Sequence, residues 1–548
     1  MNGRLTTDVD VLAGDVGTLT GDPGVAGTMS SVADPVDWIA GAARNRPQHL
    51  FLRAAQGREL SYADLRDQTA RFTSALMARG VVPGDRVAVQ VEKSVDAVLL
   101  YVACLSMGAV FVPINAANTA NEVDYFLRDS QPRLAVVRPA DRTLLEPLAI
   151  QAHVQHLETL GADGEGSLQE LVSQCPVRSP STRTAGANSL AAIVYTSGTT
   201  GRPKGAMLTR GNLASNAATL AESWRFTAND VLLHTLPLFH VHGLFAAVNT
   251  VLASASSLVL MPNFDAAMVL RRLPEVTVYM GVPTHYTRLL LEPGLNPRVT
   301  ENMRLFVSGS APLLAGTHHE FLRRTGHRIL ERYGMTETLM NTSNPYDGAR
   351  VPGSVGPALP GIAIRISGTA TDGAPSSMNG APSSTDTVGA IEIKGPNVFA
   401  GYWGDPEKTR SEFTADGWFK TGDLGRIDRD GFVYIVGRAK DLVISGGYNV
   451  YPKEVERELD GVKGVSESAV FGVPHADFGE GVTAVVVCQP GAALSEAEII
   501  SALKARLAGY KVPKRILFVD ELPRNAMGKV KKAALRAMYA SLYAAEPG

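Results

Sequence analysis

From about residue 35 onward, short apolar runs alternate with stretches of helical periodicity. The runs at 87–91 and 134–137 have the length and the β-branched content of buried strands. Between such runs, apolar positions recur at helical spacing, for example over 62–79 and 95–107. Strands that alternate with amphipathic helices predict parallel sheets covered by helices, which is an α/β arrangement.

The alternation of strands and helices continues through strand-like runs such as 231–236 and a helix that begins at Pro283. The pattern differs in the C-terminal part of the chain. After residue 437, two apolar strands and two helices predict a separate α+β unit. The predicted fold class is α/β. A large N-terminal domain of stacked, mostly parallel sheets with helices is expected at 35–437, and a small α+β C-terminal domain at 438–548.

Length and composition agree with more than one domain. The chain has 548 residues, of which 45% are hydrophobic, so it can bury a large core but is too long for one domain. Residues 1–34 are rich in Gly, Asp, Thr and Val without periodicity, and we predict a flexible extension there. The net charge of −2 offers no basic surface for nucleic acid. The expected partners are small molecules, and the oligomeric state is left open.

Cysteine use and hydropathy bear on the compartment. Cys104, Cys175 and Cys488 are far apart and form no CxxC pair, which favours a reducing compartment over disulfides or a zinc site. No uncharged apolar run reaches transmembrane length, and the N-terminus lacks a compact apolar signal core. We therefore expect a cytoplasmic protein without a membrane span.

The stretch LAAIVYTSGTTGRPKGAMLT, at 190–209, carries the first candidate chemistry. Its glycines let backbone N–H groups approach an anion closely, its hydroxyls add donors, and Lys204 adds a positive charge. A Walker A loop would place Lys and then Ser or Thr after its last glycine, whereas Gly205 follows Lys204 here. A short strand rather than a helix is predicted after the loop. The stretch therefore predicts a phosphate-binding loop between two strands.

This run resembles the AMP-binding motif of the adenylate-forming enzymes, which include acyl-CoA synthetases, luciferases and peptide-synthetase adenylation domains. A second motif, ILERYGMTET at 329–338, follows downstream in the order typical of that family. The resemblance implies a fold with a mobile C-terminal lid and a reaction that uses ATP, Mg²⁺ and coenzyme A. It implies that the ATP molecule, chiefly through its phosphates, is bound by Thr196, Ser197, Gly198, Thr199, Thr200, Gly201 and Lys204.

The resemblance also assigns the rest of the nucleotide site. The turn at Ser310 and Ala311 is expected to pack on adenine together with Tyr333, and Thr336 is expected to contact the α-phosphate. Glu337 offers a hard oxygen ligand for Mg²⁺. The remaining expected nucleotide contacts are Glu331, Arg332, Asp423 and Arg438, of which Asp423 would accept from the ribose hydroxyls.

The acyl-binding residues are expected near PLFHVHG, at 237–243. Two histidines at i and i+2 can bind a metal, but no carboxylate or thiol completes a site, so packing or substrate contact is favoured. The resemblance places His240 against the adenylate and His242 against an anionic substrate, with Ser308 and Met335 lining the pocket. Arg288 is either a solvated helix residue or, as the resemblance to malonyl-CoA synthetases implies, the partner of a second substrate carboxylate.

The C-terminal part carries the last matches to the family. Lys440 is the expected hinge, within 438–441, and Gly446 and Gly447 are expected to leave room for the pantetheine arm of coenzyme A. Near the C-terminus, the motif LPRNAMGK ends at Lys529, which matches the lysine that catalyses adenylate formation. Without the resemblance, a basic patch at this position would be interpreted as solvated surface.

Taken together, the resemblance implies an ATP-dependent malonate–CoA ligase that forms malonyl-CoA, AMP and pyrophosphate through a malonyl-adenylate, with methylmalonate as a further substrate. A short- or medium-chain fatty acyl-CoA ligase is the alternative within this class. A P-loop kinase or a nucleotide-binding regulatory protein is the alternative from another class, and the missing Walker A geometry argues against it.

Overall fold

A computed structural model of the chain describes residues 34–177, 185–196, 203–368, 387–445, 448–475, 477–507, 509–525 and 528–543. Several predicted features lie outside the described residues. They are the extension up to residue 33, the loop residues Ser197, Gly198, Thr199, Thr200 and Gly201, and the glycines Gly446 and Gly447.

The described chain alternates strands and helices, as the hydrophobic pattern predicts. The strands are β1 (Leu50–Ala54), β2 (Glu59–Ser61), β3 (Arg86–Gln90), β4 (Val110–Pro113), β5 (Leu134–Val137), β6 (His156–Thr159), β7 (Leu190–Thr196), β8 (Lys204–Thr209), β9 (Val231–His234), β10 (Ser257–Leu260), β11 (Val278–Gly281), β12 (Leu305–Ser308), β13 (Leu330–Met335), β14 (Leu339–Ser343), β15 (Ala363–Ser367), β16 (Gly389–Lys394), β17 (Gly401–Tyr402), β18 (Phe419–Ile427), β19 (Val433–Arg438), β20 (Val443–Ser445), β21 (Tyr448–Val450), β22 (Val465–His475), β23 (Gly479–Cys488) and β24 (Arg515–Phe518). The α-helices are α1 (Pro35–Asn45), α2 (Tyr62–Ala78), α3 (Val95–Met107), α4 (Ala120–Ser130), α5 (Arg142–Gln151), α6 (Ser167–Gln174), α7 (Arg210–Ser223), α8 (Asn249–Ser254), α9 (Ala266–Arg272), α10 (Pro283–Leu291), α11 (Ala315–Thr325), α12 (Pro406–Glu412), α13 (Pro452–Asp460), α14 (Glu496–Lys504) and α15 (Lys532–Met538).

Two large sheets form the body of the N-terminal domain. The first has the order β14-β13-β12-β11-β9-β10-β1-β2, and its six inner strands run parallel. The second has the order β17-β8-β7-β4-β3-β5-β6, with β7, β4, β3, β5 and β6 parallel. Since the strands are mostly parallel and helices cover them, the predicted fold class is confirmed.

The largest hydrophobic core lies between these two sheets. Helix α3 is apolar on all sides, and its residues from Val95 to Leu105 are buried, so it is a central helix of the sandwich. Smaller cores cover the outer faces of both sheets. This packing holds the carboxyl ends of the parallel strands of the two sheets at one edge.

Local sequence fixes the ends of several helices. Asp34 caps α1 by accepting from Val36 N at 2.9 Å, and its carboxylate also pairs with the buried Arg210. Ser61, Thr119 and Thr209 form capping boxes at the starts of α2, α4 and α7. The cap at Ser61 explains why α2 starts at Tyr62, as the hydrophobic pattern predicts.

A third sheet and a small domain complete the chain. Strands β15, β16, β18 and β19 form an antiparallel sheet, whose last hairpin turns at Gly431 with φ of 83°. The C-terminal sheet joins β21, β20, β23, β22 and β24, and helices α13 and α14 pack on it around a separate core. Among the described residues, no helix combines the length and the apolar character needed to cross a bilayer.

Candidate active site

The candidate site lies where the carboxyl ends of strands from both sheets meet the small domain. Strand β7 ends at Thr196, β9 at His234 and β12 at Ser308. The small domain closes this edge, since a Cβ added at Gly528 would lie 3.2 Å from Thr284 Oγ1 at the start of α10. The site is therefore a cleft between the two domains, as is usual for ligand sites.

Lys529 projects from the small domain into this cleft. Water reaches its side chain, but protein atoms surround the ammonium, and this partial burial together with Arg438 lowers its pKa to about 8. Asp423 and Glu337 of the large domain oppose that shift, so both carboxylates lie within electrostatic range of the ammonium. The structure thus brings Lys529 close to Asp423 and Glu337, which lie more than a hundred positions earlier in the sequence.

Asp423, Arg438 and Tyr333 form one connected group. Arg438 Nε lies 2.9 Å from Asp423 Oδ1, and the Tyr333 hydroxyl donates to Asp423 Oδ2 at 2.5 Å. The Asp423 side chain is almost fully enclosed, and its strand β18 pairs with β19 so that Asp423 faces Arg438 directly. The carboxylate is held rigidly, and this geometry suits acceptance of hydrogen bonds from a ribose.

Glu337 lies beside Thr196, at the start of the phosphate-binding loop. Its Oε1 accepts from the Tyr402 hydroxyl at 3.1 Å and from Thr196 Oγ1 at 3.4 Å. Burial raises the pKa of this carboxyl, which is 6% exposed. Lys204 lies behind it, 3.5 Å from Asp405 and over the ring of Tyr402.

His240 and His242 form the next part of the cleft. The backbone N–H of His242 donates to His240 Nδ1 at 3.2 Å, and His242 Nδ1 lies 3.3 Å from Ser310 Oγ. His242 starts a π-helix, His242–Val248, in which Gly243 is required because a Cβ there would lie 2.0 Å from Pro237 O. Burial lowers the pKa of His240 to about 3 and that of His242 far below its usual range, so both rings are neutral bases.

The most unusual group of the cleft is Arg332 on β13. It is 3% exposed, and its Nε and Nη2 have no hydrogen-bond partner among the described residues. Burial lowers its pKa to about 9, so the guanidinium stays charged at neutral pH. It lies against Gly309, where an added Cβ would be 2.4 Å from Arg332 Cζ. A buried charge without a partner is costly, which indicates a site for an anion.

The role of Arg288, expected to meet a second substrate carboxylate, stays a prediction. Arg288 lies in the last turn of α10 and is exposed to solvent. It lies close enough to His285 to lower the pKa of that ring, to which burial contributes most. Arg288 therefore lies at the rim, whereas Arg332 is the arginine buried in the cleft.

The other predicted residues are distributed around the cleft. Successive residues of a strand point to opposite faces, so Glu331 points away from Arg332 and its carboxyl accepts from Gly353 N at 3.1 Å. That contact gives no support to Glu331 as a nucleotide ligand. The half-buried residues among those expected to bind nucleotide or substrate are Thr336, Met335 and Ala311. Lys440 is exposed in a short turn at Ala439–Asp441, between the two domains.

Two residues of the site escaped sequence reasoning. Tyr402 binds Glu337, from which it is separated by 65 positions, so no local pattern marks it. Gly309 lies within a recognised motif, but its close approach to Arg332 is visible only in the structure. Among the described residues, no cluster of three or more His, Cys, Asp or Glu side chains could hold a metal by itself.

Comparisons with known proteins identify the family of the chain. A family model described as "AMP-binding enzyme" matches residues 39–403, and one described as "AMP-binding enzyme C-terminal domain" matches residues 454–529. The predicted hinge at 438–441 falls between the two matches. Its role as a hinge stays a prediction.

Individual relatives were found at both the sequence and the structural level. The mitochondrial malonate–CoA ligase of Mus musculus is 39% identical over 497 residues, which cover 86% of this chain and 84% of that protein. A feruloyl-CoA synthase of Amycolatopsis sp is 35% identical, over 91% of this chain and 98% of that protein. The ATP-bound structure of MatB from Rhodopseudomonas palustris is 51% identical with a TM-score of 0.88, over 93% of this chain and 100% of that one.

Proposed function

The chain belongs to the AMP-binding enzyme family, and we propose that it is an ATP-dependent malonate–CoA ligase. The reaction forms malonyl-CoA, AMP and pyrophosphate through a malonyl-adenylate, and methylmalonate is a further substrate. The names of the relatives from Mus musculus, Bos taurus and Arabidopsis thaliana support this proposal, since all three are malonate–CoA ligases.

The observation that carries the choice of substrate is the buried Arg332. A monocarboxylate uses its single carboxylate to attack ATP and has no second charge to offer this guanidinium. A dicarboxylate can place its second carboxylate against the unpartnered Nε and Nη2, which are the donors of a bidentate contact. The ring of His242 lies within electrostatic range of the guanidinium, and its Nε2 also has no hydrogen-bond partner among the described residues. A fatty acyl chain would leave all of these groups buried and unpaired, which is unfavourable.

In the first half-reaction, a carboxylate oxygen of malonate attacks the α-phosphorus of ATP and pyrophosphate leaves. Negative charge grows on the phosphoryl oxygens, and Lys529 and Thr336 are the groups we assign to its stabilisation. Asp423, held by Arg438 and Tyr333, accepts from the ribose hydroxyls and fixes the nucleotide. The neutral state of His240 lets it contact the adenylate without adding a charge.

The chemistry of Glu337 fits Mg²⁺. This ion is commonly held by one or two carboxylates together with substrate phosphates, and Glu337 is a single buried carboxylate beside the phosphate-binding loop. Tyr402 and Thr196 orient its oxygen from two sides. When bound there, Mg²⁺ would neutralise charge on the phosphates.

In the second half-reaction, the thiol of coenzyme A displaces AMP from the adenylate. We assign this step to a rotation of the small domain about Lys440, which withdraws Lys529 and presents Gly446 and Gly447 to the cleft. The orientation in which Lys529 enters the cleft is the one suited to the first step. In support, the similarity is greater to the ATP-bound MatB, with a TM-score of 0.88, than to apo MatB, with 0.79.

The decisive experiment is exchange of labelled pyrophosphate into ATP with a panel of carboxylates. We expect exchange with malonate and methylmalonate and at least about tenfold less with butyrate or octanoate, a difference that needs only about 1.4 kcal/mol. A fatty acyl-CoA ligase would reverse that order, and a kinase would support no exchange at all. Arg288→Ala tests the rim arginine in the same assay: a loss specific to malonate would assign it to the substrate, and unchanged turnover would exclude it.

We propose a cytoplasmic location for the enzyme. Relatives from vertebrates carry "mitochondrial" in their names. For this chain, the spacing of its cysteines and its hydropathy support a cytoplasmic location, which stays a prediction.

A further inference from the structure

A second cation, Lys93, lies behind the histidines of the cleft. It follows strand β3 of the second sheet, and its Nζ donates to the backbone oxygen of His234 at 2.9 Å. His234 is the last residue of β9 in the first sheet. Lys93 therefore reaches from the carboxyl edge of one sheet to the carboxyl edge of the other, which is where the acyl pocket lies.

Lys93 has no acidic partner among the described residues. The nearest acids in sequence are directed elsewhere, since Glu92 lies 3.8 Å from Arg138 and Asp96 lies 2.9 Å from Arg58. Burial lowers the pKa of the Lys93 ammonium well below its usual range. An enclosed ammonium has three N–H donors, and within the described chain only the His234 carbonyl accepts from it.

The groups around Lys93 are neutral or positive. His285 on α10 feels the charge of both Lys93 and Arg288. Its ring stacks on Phe264 with centroids 3.8 Å apart, and its Nδ1 lies 2.8 Å from the Tyr279 hydroxyl, so it is held in place. Because the α10 residue beside Lys93 is this fixed histidine, α10 places no negative charge there to balance the Lys93 ammonium.

This group is continuous with the site of Arg332. His242, which touches Ser310 in the cleft, lies within electrostatic range of Arg332, His234 and His285. No carboxylate contributes to the pKa of any of these three cleft-facing histidines. The whole wall from Arg332 to Lys93 therefore offers positive charge and neutral donors to whatever enters.

We propose that Lys93 is a specificity-determining residue of the acyl pocket, which acts with Arg332 to hold the second carboxylate of the substrate. The inference rests on the proposed function, because it assigns Lys93 to the same dicarboxylate. A dianion supplies the acceptors that the protein withholds from Lys93, whereas a monocarboxylate with an apolar tail does not. The competing explanation is that Lys93 only ties the two sheets together through His234.

The test compares three variants that separate the charge of Lys93 from its hydrogen bond to the His234 carbonyl. Lys93→Met removes both, Lys93→Gln removes the charge but keeps an N–H donor, and Lys93→Arg keeps the charge. For each, kcat/KM is measured by pyrophosphate exchange with malonate and with butyrate, and folding is followed by thermal melting. Lys463→Met, at an exposed lysine of the small domain, is the matched control.

We expect Lys93→Met and Lys93→Gln to lower kcat/KM for malonate by about 10- to 100-fold and to change that for butyrate by less than about threefold. Lys93→Arg should restore most of the preference for malonate, and Lys463→Met should behave as wild type. Equal losses of kcat/KM with both acids would show that Lys93 only connects the two sheets through His234, and would overturn the inference. If Lys93→Met fails to fold, the ratio of malonate to butyrate activity in Lys93→Gln decides between the same two explanations.

The two hypotheses fail in different ways. Wild-type enzyme that does not activate malonate would overturn the proposed function and the role of Lys93 together. Wild-type enzyme that prefers malonate, with variants at Lys93 that keep the same preference, would overturn the role of Lys93 alone.

Discussion

Replacing Arg332 by methionine should abolish the use of malonate without weakening the fold. Methionine has a similar length and is apolar, so it removes the charge and leaves the volume nearly unchanged. Removing one partner of a buried charge pair costs about 3–5 kcal/mol, because the other charge stays buried and unpaired. For the malonate complex this corresponds to a loss of about 150- to 5,000-fold in kcat/KM.

The effect on stability should have the opposite sign. In the free protein, Arg332 is 3% exposed and two of its guanidinium nitrogens have no partner among the described residues. Replacing buried charges by apolar groups of similar volume is often neutral or stabilises by about 1–4 kcal/mol. Arg332→Met should therefore keep or raise the melting temperature while it loses its activity with malonate.

The assay is pyrophosphate exchange with malonate and with butyrate, combined with thermal melting of the unliganded enzyme. Butyrate activity should persist or increase, since the pocket no longer holds an unpaired charge. A fall in melting temperature together with an equal loss for both acids would mean that Arg332 supports the fold. That result would refute the assignment of a second carboxylate to this residue.

Four further variants and one pH profile test other parts of the structure. Gly309→Ala should displace the Arg332 guanidinium, since the new methyl would lie 2.4 Å from Cζ, and a malonate-specific rise in KM would be seen in steady-state kinetics; unchanged KM would contradict that contact. Lys529 must be protonated to stabilise the phosphoryl charge, and its pKa is lowered to about 8. We therefore expect kcat/KM for ATP to be constant below pH 8 and to fall about tenfold per pH unit above it. Lys529→Ala should lose adenylate formation yet still form thioester from preformed adenylate. Glu337→Gln should raise the Mg²⁺ concentration for half-maximal exchange by about tenfold or more, and an unchanged titration would argue against Glu337 as the ligand. Asp34→Ala removes both the cap of α1 and a buried ion pair, so it should lower the free energy of unfolding by about 3–5 kcal/mol in a denaturant titration, whereas a loss below about 1 kcal/mol would mean that the pair is exposed in solution.

Much of the fold follows from the hydrophobic pattern. The pattern predicts a strand at 134–137, and β5 is observed at Leu134–Val137, because its apolar run is flanked by polar residues on both sides. The phosphate-binding loop is predicted to join two strands, and β7 and β8 on either side of it pair antiparallel. Other ends differ by a residue, as for the strand predicted at 87–91 and observed at Arg86–Gln90. Such shifts arise because tertiary contacts decide where an element ends.

The motifs also indicate which elements carry chemistry. The order of the phosphate-binding loop, the ERYGMTE run and the C-terminal lysine is a property of the sequence alone. The first two meet at one edge because parallel strands bring their carboxyl ends together, whereas the small domain brings Lys529 to that edge. Sequence reasoning could therefore name Lys529, Glu337 and Asp423 without knowing their contacts.

What the sequence by itself determined is the α/β architecture, the small C-terminal domain and the inventory of reactive side chains. What only the tertiary structure decided is which of them face the cleft. Arg288 and Arg332 look alike in sequence, yet one lies at the rim and the other is buried against Gly309. The physical reason is that burial and charge pairing depend on packing between residues distant in the chain, and a local pattern does not encode this packing.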